Sequence, residues 1–280
     1  MVTDGSGPVI AITTDFGLTD EYVGVMKGVL LAIAPRARIV DLCHGVPPHD
    51  VAAGALILEA AAPYFAPGTV HLAVVDPGVG TERAAVAVRT RRSWLVGPDN
   101  GLLSLVVAAQ GLEEAVRLTR PAYRLHPVSA TFHGRDVFAP AAAHLAAGVA
   151  LSALGEPAQT IAPLGPSGPA WVGGELEGHV LRVDRFGNAV TDVRAEVLAE
   201  RGMMAGAATA RLGGGGEARL ARTFADVAPG EPVAYVGSSG RLEVAVRGGS
   251  AAAVYGLRPG SVVRVALGRP RGPGTERLDG

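Results

Sequence analysis

The chain has 280 residues, of which 48% are hydrophobic and 18% are charged, and its formal net charge is −1. This balance is typical of a globular protein with one large or two ordinary domains, and it argues against a nucleic-acid-binding or membrane-binding surface. The single cysteine, Cys43, excludes a disulfide framework and a thiolate zinc cluster. The start lacks a signal-peptide pattern and no apolar run reaches the ~20 residues of a membrane span, so we expect a cytoplasmic protein.

Apolar strands alternate with amphipathic helices in the first half of the chain, which predicts a mostly parallel sheet with helices on both faces. Thr19 is the expected N-cap of the first helix, and Pro140 should make the last helix start late or kink. The predicted elements are a strand at 8–14, a helix at 20–35, a strand at 37–43, a helix at about 50–65, a strand at 69–75, strands at "AAVAV" and "SWLVG", and helices at "GLLSLVVAAQ" and 135–148.

The second half of the chain differs from the first in composition and in its hydrophobic pattern. Residues 154–178 are rich in Pro and Gly without a helical period, which predicts a linker or a long crossing loop. Short strand-like runs follow, and the only helix expected among them is a short one near "RAEVLAERG". We therefore predict an α/β domain over residues 8–160 and a smaller antiparallel β domain over residues 172–268, with disordered ends at 1–6 and 268–280. The strand-like runs are "HVLRVD", "AVTDV", "ARL", "PVAYVG", "LEVAVR" and "VVRVAL".

Two aspartates close apolar strands in the first half. Asp15 ends "AITTD", Asp76 ends "LAVVD", and a glycine-containing turn follows each of them. In open α/β sheets, ligands bind beyond the carboxyl ends of the strands, so both carboxylates are candidates for holding ribose hydroxyls, a water or a cation. Taken singly, Asp15 can instead cap the next helix and Asp76 can open a turn. Their common position in one predicted crevice favours a site.

Further stretches allow both structural and functional interpretations. "GPDNG" at 97–101 is a turn before a helix, and "TFHGRD" places His133 in a loop where a lone histidine is more often structural. "VDRFGNAVTD" groups Asp184, Phe186 and Asn188 in one turn, which suits a purine but equally describes a hairpin. "YVGSSGRLEVAV" is either a plain hairpin or a backbone-lined pocket.

Several common catalytic motifs are missing from the sequence. It has no Walker lysine loop, no G-x-G-x-x-G between a strand and a helix, no H-E-x-x-H and no G-x-S-x-G. The run of four glycines at 213–216 is expected to be a loop. We therefore expect no bound metal and no cofactor.

Seven motifs together resemble the S-adenosylmethionine hydroxide adenosyltransferase family, the water-using relatives of the fluorinases and chlorinases. The resemblance extends from about residue 9 to residue 268. It implies an α/β domain followed by a β domain, assembled as a homotrimer, with each active site between the N-terminal domain of one subunit and the C-terminal domain of its neighbour. The motifs are "TTDFGLTDEYVGVMKG", "DLCHGVPPHDVAAGA", "VVDPGVGTER", "GPDNGLLS", "TFHGRDVFAPAAAHLAAG", "VDRFGNAVTD" and "GSSGRLEVAV".

The resemblance assigns the catalytic residues to Asp76, Arg83 and His133, which together would position and activate one water molecule. It implies that Asp15 holds the ribose hydroxyls, and that Asp20, Asp184 and Ser238 surround the methionine moiety. Adenine would face Phe186 and Asn188, and its pocket would be completed by main-chain groups near Val246 to Gly248 and by Phe224.

The resemblance also separates hydrolases from halogenases. In the halogenase branch the positions of Asp76, Val79, Gly134 and His49 resemble a tyrosine, a threonine, a halide-contacting serine and a tryptophan. This chain departs at all four positions and lacks the hydroxyl groups that would replace the hydration shell of a halide. Hydrolysis is therefore favoured over halogenation.

The implied reaction is displacement at the 5′ carbon of S-adenosylmethionine by water, giving adenosine and L-methionine. The leaving group is a neutral thioether, so the reaction needs no general acid. Arg83 stays protonated and cannot accept the proton of the water. Asp76 is a poorer base because it is paired with arginine, and His133 titrates near neutrality, so the residues alone do not decide between these two acceptors. We favour a relay that both residues share, with Asp76 in the more direct contact with the water. The resemblance also implies that the (R)-sulfonium epimer is the substrate. The competing hypothesis is a trimer that binds adenosine or S-adenosylmethionine without turnover, which would not need the three charged residues.

Overall fold

The computed structural model describes residues 7–165 and 168–267. The ends predicted to be disordered, residues 1–6 and 268–280, lie outside the described residues. The chain divides into two compact units, Met1–Gly165 and Pro166–Gly280. No helix in the described part is long and apolar enough to cross a membrane.

The first unit is built on one seven-stranded sheet with the order β2-β1-β3-β5-β4-β6-β7. The four strands β2, β1, β3 and β5 run parallel to one another, and β4, β6 and β7 continue the sheet by antiparallel pairing. The strands are β1 (Val9–Thr14), β2 (Arg38–Cys43), β3 (Val70–Val74), β4 (Ala85–Thr90), β5 (Trp94–Pro98), β6 (Leu112–Arg117) and β7 (Glu156–Pro157).

Helices cover both faces of this sheet because its strands carry apolar residues on alternating sides. Ile10 and Ile12 share one buried cluster with Met26 and Leu30, whereas Ala73 and Val75 belong to a second cluster. Helix α1 packs against α4, and α2 packs against α3. The helices are α1 (Tyr22–Ile33), α2 (Val51–Ala61), α3 (Ser104–Gln110) and α4 (Ala139–Ala146).

The second unit is an eight-stranded sheet with the order β10-β14-β13-β12-β11-β15-β9-β8, and an additional β9–β10 pairing closes it on itself. All neighbours are antiparallel except the parallel pair β12–β13. Its elements are β8 (Ala170–Val172), β9 (Glu175–Val183), β10 (Ala189–Arg194), α5 (Ala195–Glu200), β11 (Ala208–Leu212), β12 (Glu217–Leu220), β13 (Pro232–Val236), β14 (Arg241–Val246), α6 (Ala251–Tyr255) and β15 (Val262–Leu267).

The predicted fold class, an α/β sheet with helices on both faces followed by an antiparallel β domain, is confirmed, and the first sheet is mixed at one side. The expected late start of the last helix is also confirmed, because a π-helical turn, Gly134–Phe138, precedes α4 and puts Pro140 in the first turn of that α-helix.

Three local predictions are wrong. Thr19 is not the N-cap of α1; Glu21 occupies that position, because residues 17–20 form a turn before the helix begins. The segment predicted as a linker, 154–178, contains β7, β8 and the start of β9. Strands β7 and β8 are too short to show the alternation of apolar and polar residues by which a strand is recognised in a sequence. Strand β6 and helix α6 were not expected, since β6 is rich in charge and α6 has only five residues.

Candidate functional site

Asp15 and Asp76 lie at the same edge of the first sheet. Asp15 follows β1 directly, Asp76 comes two residues after β3, and these two strands are parallel neighbours with Thr14 opposite Val74. The chain passes from β1 to β2 on one side and reaches β3 on the other, so the gap between β1 and β3 is the point at which strand order reverses. A cavity of about 300 Å³ opens there. This N-terminal cavity is lined by Asp15, Phe16, Tyr22, Pro48, His49, Val74, Asp76, Val79, Thr131, Phe132, His133 and Gly134.

Arg83 connects Asp76 to His133. Its Nε donates to Asp76 Oδ1 at 2.8 Å and to Oδ2 at 3.0 Å, and its Nη2 donates to Asp76 Oδ2. The same Nη2 lies 2.8 Å from His133 Nδ1. The Arg83 and Asp76 side chains are only 10% and 5% exposed, so the ion pair is largely shielded from bulk solvent and from salt. The three residues form one hydrogen-bonded unit.

The loop geometry explains why these residues meet. Gly80 has φ +78°, and a Cβ at this position would lie 2.5 Å from the carbonyl oxygen of Ala130. Only glycine therefore lets the 76–83 turn approach the loop that carries His133. That second loop is fixed by the buried carboxylate of Asp136, which accepts from the Ser129 amide at 2.8 Å and pairs with Arg135 at 2.6 Å.

The bond from Arg83 determines the tautomer of His133. A guanidinium has no acceptor, so Nδ1 of His133 must be the unprotonated nitrogen, and the neutral ring carries its proton on Nε2. Burial lowers the pKa of His133 below its ordinary value of 6.5, and the positive charge of Arg83 lowers it further. Both effects favour the neutral ring that this hydrogen bond requires.

A chain of hydrogen bonds holds the turn that carries Asp15. Thr14 Oγ1 lies 2.8 Å from His44 Nδ1, and His44 Nε2 lies 3.0 Å from Asp41 Oδ1. Lys27 Nζ donates to the other Asp41 oxygen at 2.6 Å. Asp15 Oδ2 itself accepts from the backbone amide of His49 at 2.9 Å, which leaves its other oxygen without a partner among the described residues.

An aromatic cluster forms one wall of the N-terminal cavity. The ring centroids of Phe16, Tyr22 and Phe132 are 5.2–6.0 Å apart, with the two pairs that include Phe132 edge-to-face. Sequence reasoning did not single out these residues, although they lie inside the motifs that carry Asp15 and His133. Asp20, by contrast, is exposed beside Thr19 and is not among the residues that line the cavity.

The second unit contains a larger cavity of about 890 Å³. Seven predicted binding residues meet there although they come from four separate segments of the chain. This C-terminal cavity is lined by Asp184, Phe186, Asn188, Phe224, Ser238, Val246 and Gly248, together with Arg182, Tyr235, Glu243, Gly249 and Ser250, which were not predicted.

The 184–188 turn is organised by the Asp184 carboxylate. It accepts from the amides of Phe186 and Asn188 at 2.8 and 2.9 Å and from Asn188 Nδ2 at 2.9 Å. Because Asn188 Nδ2 is bonded to Asp184, Asn188 Oδ1 is the end of this amide that can accept from a ligand. Phe186 is 76% exposed and Phe224, whose ring also contacts that of Tyr235, is 38% exposed, so part of each aromatic side chain is accessible to a ligand.

Tyr235 and Glu243 form the polar floor of the C-terminal cavity. They are opposite one another on β13 and β14, and Tyr235 Oη donates to Glu243 Oε2 at 2.7 Å. Burial raises the pKa of Glu243, and the nearby Asp184 charge raises it further. The sequence indicates that "PVAYV" and "RLEVAV" are adjacent strands. It does not indicate their register, so it does not show that Tyr235 faces Glu243.

The fold and the site define a class: an α/β unit with a charged cavity at the carboxyl ends of its parallel strands, followed by a β unit with an aromatic cavity. Models of the SAM hydroxide adenosyltransferase N-terminal and C-terminal domains match residues 10–155 and 178–264. The chain belongs to the SAM hydroxide adenosyltransferase family.

Individual relatives agree with this assignment. The chain is 44% identical over 265 residues to an (R)-S-adenosyl-L-methionine hydrolase of Salinispora tropica, covering 93% of this chain and 98% of the relative. It is 46% identical over 261 residues to the hydrolase of that name from Thermus thermophilus, covering 90% and 97%. More distant relatives, such as one from Nocardia brasiliensis at 32% identity, carry the name fluorinase. A crystal structure from Thermotoga maritima superposes with a TM-score of 0.85 at 36% identity, covering 92% of this chain and 99% of the other.

Proposed function

We propose that this protein hydrolyses S-adenosyl-L-methionine by attack of water at the 5′ carbon of the ribose, giving adenosine and L-methionine. The observation that carries the proposal is the hydrogen-bonded unit of Asp76, Arg83 and His133, of which Asp76 and His133 line the same cavity as Asp15. The C5′–S bond breaks as the C5′–O bond forms, and the sulfonium leaves as a neutral thioether. The only proton that must be removed is that of the attacking water.

The geometry favours Asp76 as the acceptor of this proton. The lone pair of His133 Nδ1 is occupied by Arg83, and His133 Nε2 carries the ring proton, so neither ring nitrogen is free to accept. Asp76 Oδ1 accepts only one N–H bond and keeps a lone pair for water. We infer that His133 Nε2–H donates to the water oxygen while Asp76 accepts its proton. Positioning of this kind contributes up to roughly 7–11 kcal/mol, and a general base adds about 10²–10⁴-fold.

The remaining site residues are assigned to substrate binding within the same proposal. The free oxygen of Asp15 would accept from the ribose hydroxyls, and the open aromatic faces of Phe186 and Phe224 suit stacking on adenine. Asn188 Oδ1 would accept from the exocyclic amine. The methionine moiety would be held by Asp20, Asp184 and Ser238, and the backbone at Val246 and Gly248 would complete the purine pocket.

The proposal also includes the broader expectations from the family resemblance. These are a cytoplasmic homotrimer with domains at 8–160 and 172–268, the (R)-sulfonium epimer as substrate, and no cofactor. Among the described residues, no group of three or more His, Cys, Asp or Glu side chains is arranged to hold a metal ion. Light scattering of the purified protein measures the oligomeric state directly.

The alternatives are a non-catalytic binder and a halogenase. A binder would need the adenine and ribose contacts but not a buried Asp–Arg–His unit, whose charges cost free energy to desolvate. For a halogenase, the halide-contacting serine would have to replace Gly134, where a Cβ would lie 3.2 Å from Met26 Sδ and from the Phe132 ring. Hydrolysis is the function that these contacts support best.

The deciding experiment is incubation with each sulfonium epimer in ¹⁸O-labelled water, followed by mass spectrometry. We expect multiple turnovers of the (R)-epimer, free methionine, and one ¹⁸O atom at the 5′ oxygen of adenosine. Bound but intact substrate would support the binder, and 5′-halo-adenosine formed in added halide would support the halogenase. Asp76→Asn serves as the matched control that should bind but not turn over.

A further inference from the structure

A second cavity lies against the Arg83–His133 pair in the first unit. It has a volume of about 540 Å³, and its lining includes Arg83 and His133 but neither Asp15 nor Asp76. We call it the arginine cavity. It is lined by Glu82, Arg83, Ala84, Ala85, Arg117, Leu118, Thr119, Arg124, Val128, His133 and Val137.

The guanidinium of Arg124 is held in this cavity without an acidic partner. Its Nη2 donates to the carbonyl oxygen of Leu118, but its buried Nε has no hydrogen-bond acceptor among the described residues. Burial lowers the pKa of Arg124, which means that the charge is partly desolvated and not compensated. The unsatisfied Nε adds to the cost of burying this side chain, and no described residue accepts from Arg124 Nη1, which leaves that donor for a ligand.

Two further cationic groups are available at the cavity wall. Arg117 is exposed, its backbone pairs within the sheet, and its guanidinium has no acceptor among the described residues. Arg83 uses Nε and Nη2 for Asp76 and His133, and no described residue accepts from its Nη1. Glu82 is the only carboxylate in the lining, and it forms no ion pair with a described residue. The cavity therefore has an excess of positive charge and unused donors.

We propose that the arginine cavity binds a small oxyanion, a phosphate or carboxylate group, through the guanidinium groups of Arg117 and Arg124. Planar guanidinium groups match the paired oxygens of such anions, and Thr119 adds a hydroxyl to the lining. The volume exceeds that of a single inorganic ion, so it accommodates a small organic phosphate or carboxylate.

An anion in this cavity would act on the catalytic histidine. The charged groups that face His133 are Arg83 and Arg124, which lower its pKa, and Asp76 and Asp136, which raise it. A bound anion offsets the effect of the two arginines and so raises the pKa of His133. The acid limb of the pH–rate profile then moves to higher pH, and the occupied site reduces activity at mildly acidic pH.

The test measures binding of inorganic phosphate by isothermal titration calorimetry without substrate, so its outcome does not depend on the proposed reaction. We expect saturable binding to the unmodified protein and a loss of about tenfold or more in affinity for Arg117→Met and Arg124→Met. Arg120→Met is the matched control, because Arg120 is an exposed arginine outside the cavity lining, and its affinity should be unchanged.

Arg117→Met keeps the test decisive if loss of the Arg124–Leu118 bond disturbs folding. No saturable binding of phosphate or of acetate to the unmodified protein, or equal affinity for the bound anion in Arg117→Met, would overturn the proposal. A repeat of the titration with acetate distinguishes the two ligand groups: binding of phosphate alone assigns a phosphate site, and comparable binding of both assigns a general oxyanion site.

Discussion

The N-terminal and C-terminal cavities are built in opposite ways. The N-terminal cavity is lined by Asp76, which several hydrogen bonds hold in a shielded ion pair with Arg83. The C-terminal cavity is formed by turns and by the open faces of Phe186 and Phe224. Chemistry at a reacting atom requires fixed charges in a dry site, whereas recognition of a planar ring requires exposed aromatic surface. The contrast predicts that changes in the first cavity alter kcat and that changes in the second alter KM.

The largest expected effect comes from Asp76→Asn. Removing the carboxylate should lower kcat by about 10²–10⁴-fold with little change in KM, because the group acts only as the proton is transferred. Steady-state kinetics measures this, with circular dichroism to confirm that the variant is folded and Glu114→Gln as an exposed carboxylate control. A rise in KM with unchanged kcat would reverse the proposed division between the cavities.

Acid stability should depend on His71, which lines none of the three cavities described above. His71 is fully buried, both of its ring nitrogens lack a hydrogen-bond partner among the described residues, and burial lowers its pKa to about 4. The unfolded chain binds a proton near pH 6.5 and the folded chain only near pH 4, so stability falls as the pH decreases through this window.

This shift corresponds to a loss on the order of 3 kcal/mol in the free energy of unfolding. Urea denaturation at several pH values measures it, and His71→Leu should reduce the loss of stability between pH 6.5 and pH 4 by roughly this amount. An unchanged slope in that variant would assign the acid sensitivity to other groups.

Phe186→Ala tests the aromatic half of the comparison. Stacking of a base on an aromatic side chain is worth about 1–3 kcal/mol, so KM should rise about tenfold while kcat stays nearly constant. Phe186→Tyr retains the ring and should behave like the unmodified protein. If kcat fell instead, the C-terminal cavity would take part in the chemical step.

The smallest effect expected is a shift in the pH dependence of kcat. His133 must be neutral to accept from Arg83, so kcat should fall at acid pH, with an apparent pKa below the ordinary histidine value of 6.5. Measuring kcat against pH in the His71→Leu background separates this limb from acid unfolding. A limb above pH 6.5 would indicate that His133 is not in the environment described here.

Part of the site was predictable because its residues share short motifs. Asp76 and Arg83 are seven positions apart in one glycine-containing turn, and Asp184, Phe186 and Asn188 occupy another. Tyr235 and Glu243 were not predictable as a pair, since cross-strand contacts depend on register, and register depends on turn geometry and on packing against neighbouring strands. The arginine cavity was missed for the same reason: Arg83, Arg117 and Arg124 come from separate segments, and nothing local links them.

The sequence by itself determined the α/β order of elements, the two strand-end aspartates and the motifs that place the chain in its family, because strand and helix periodicities and glycine turns are local properties. Only the tertiary structure decided that Arg83 donates to both Asp76 and His133, which fixes the tautomer of the histidine and favours the aspartate as proton acceptor. The physical reason is that the direction of a hydrogen bond and the desolvation of a charge depend on atoms brought together from distant positions in the chain, and no local pattern encodes them.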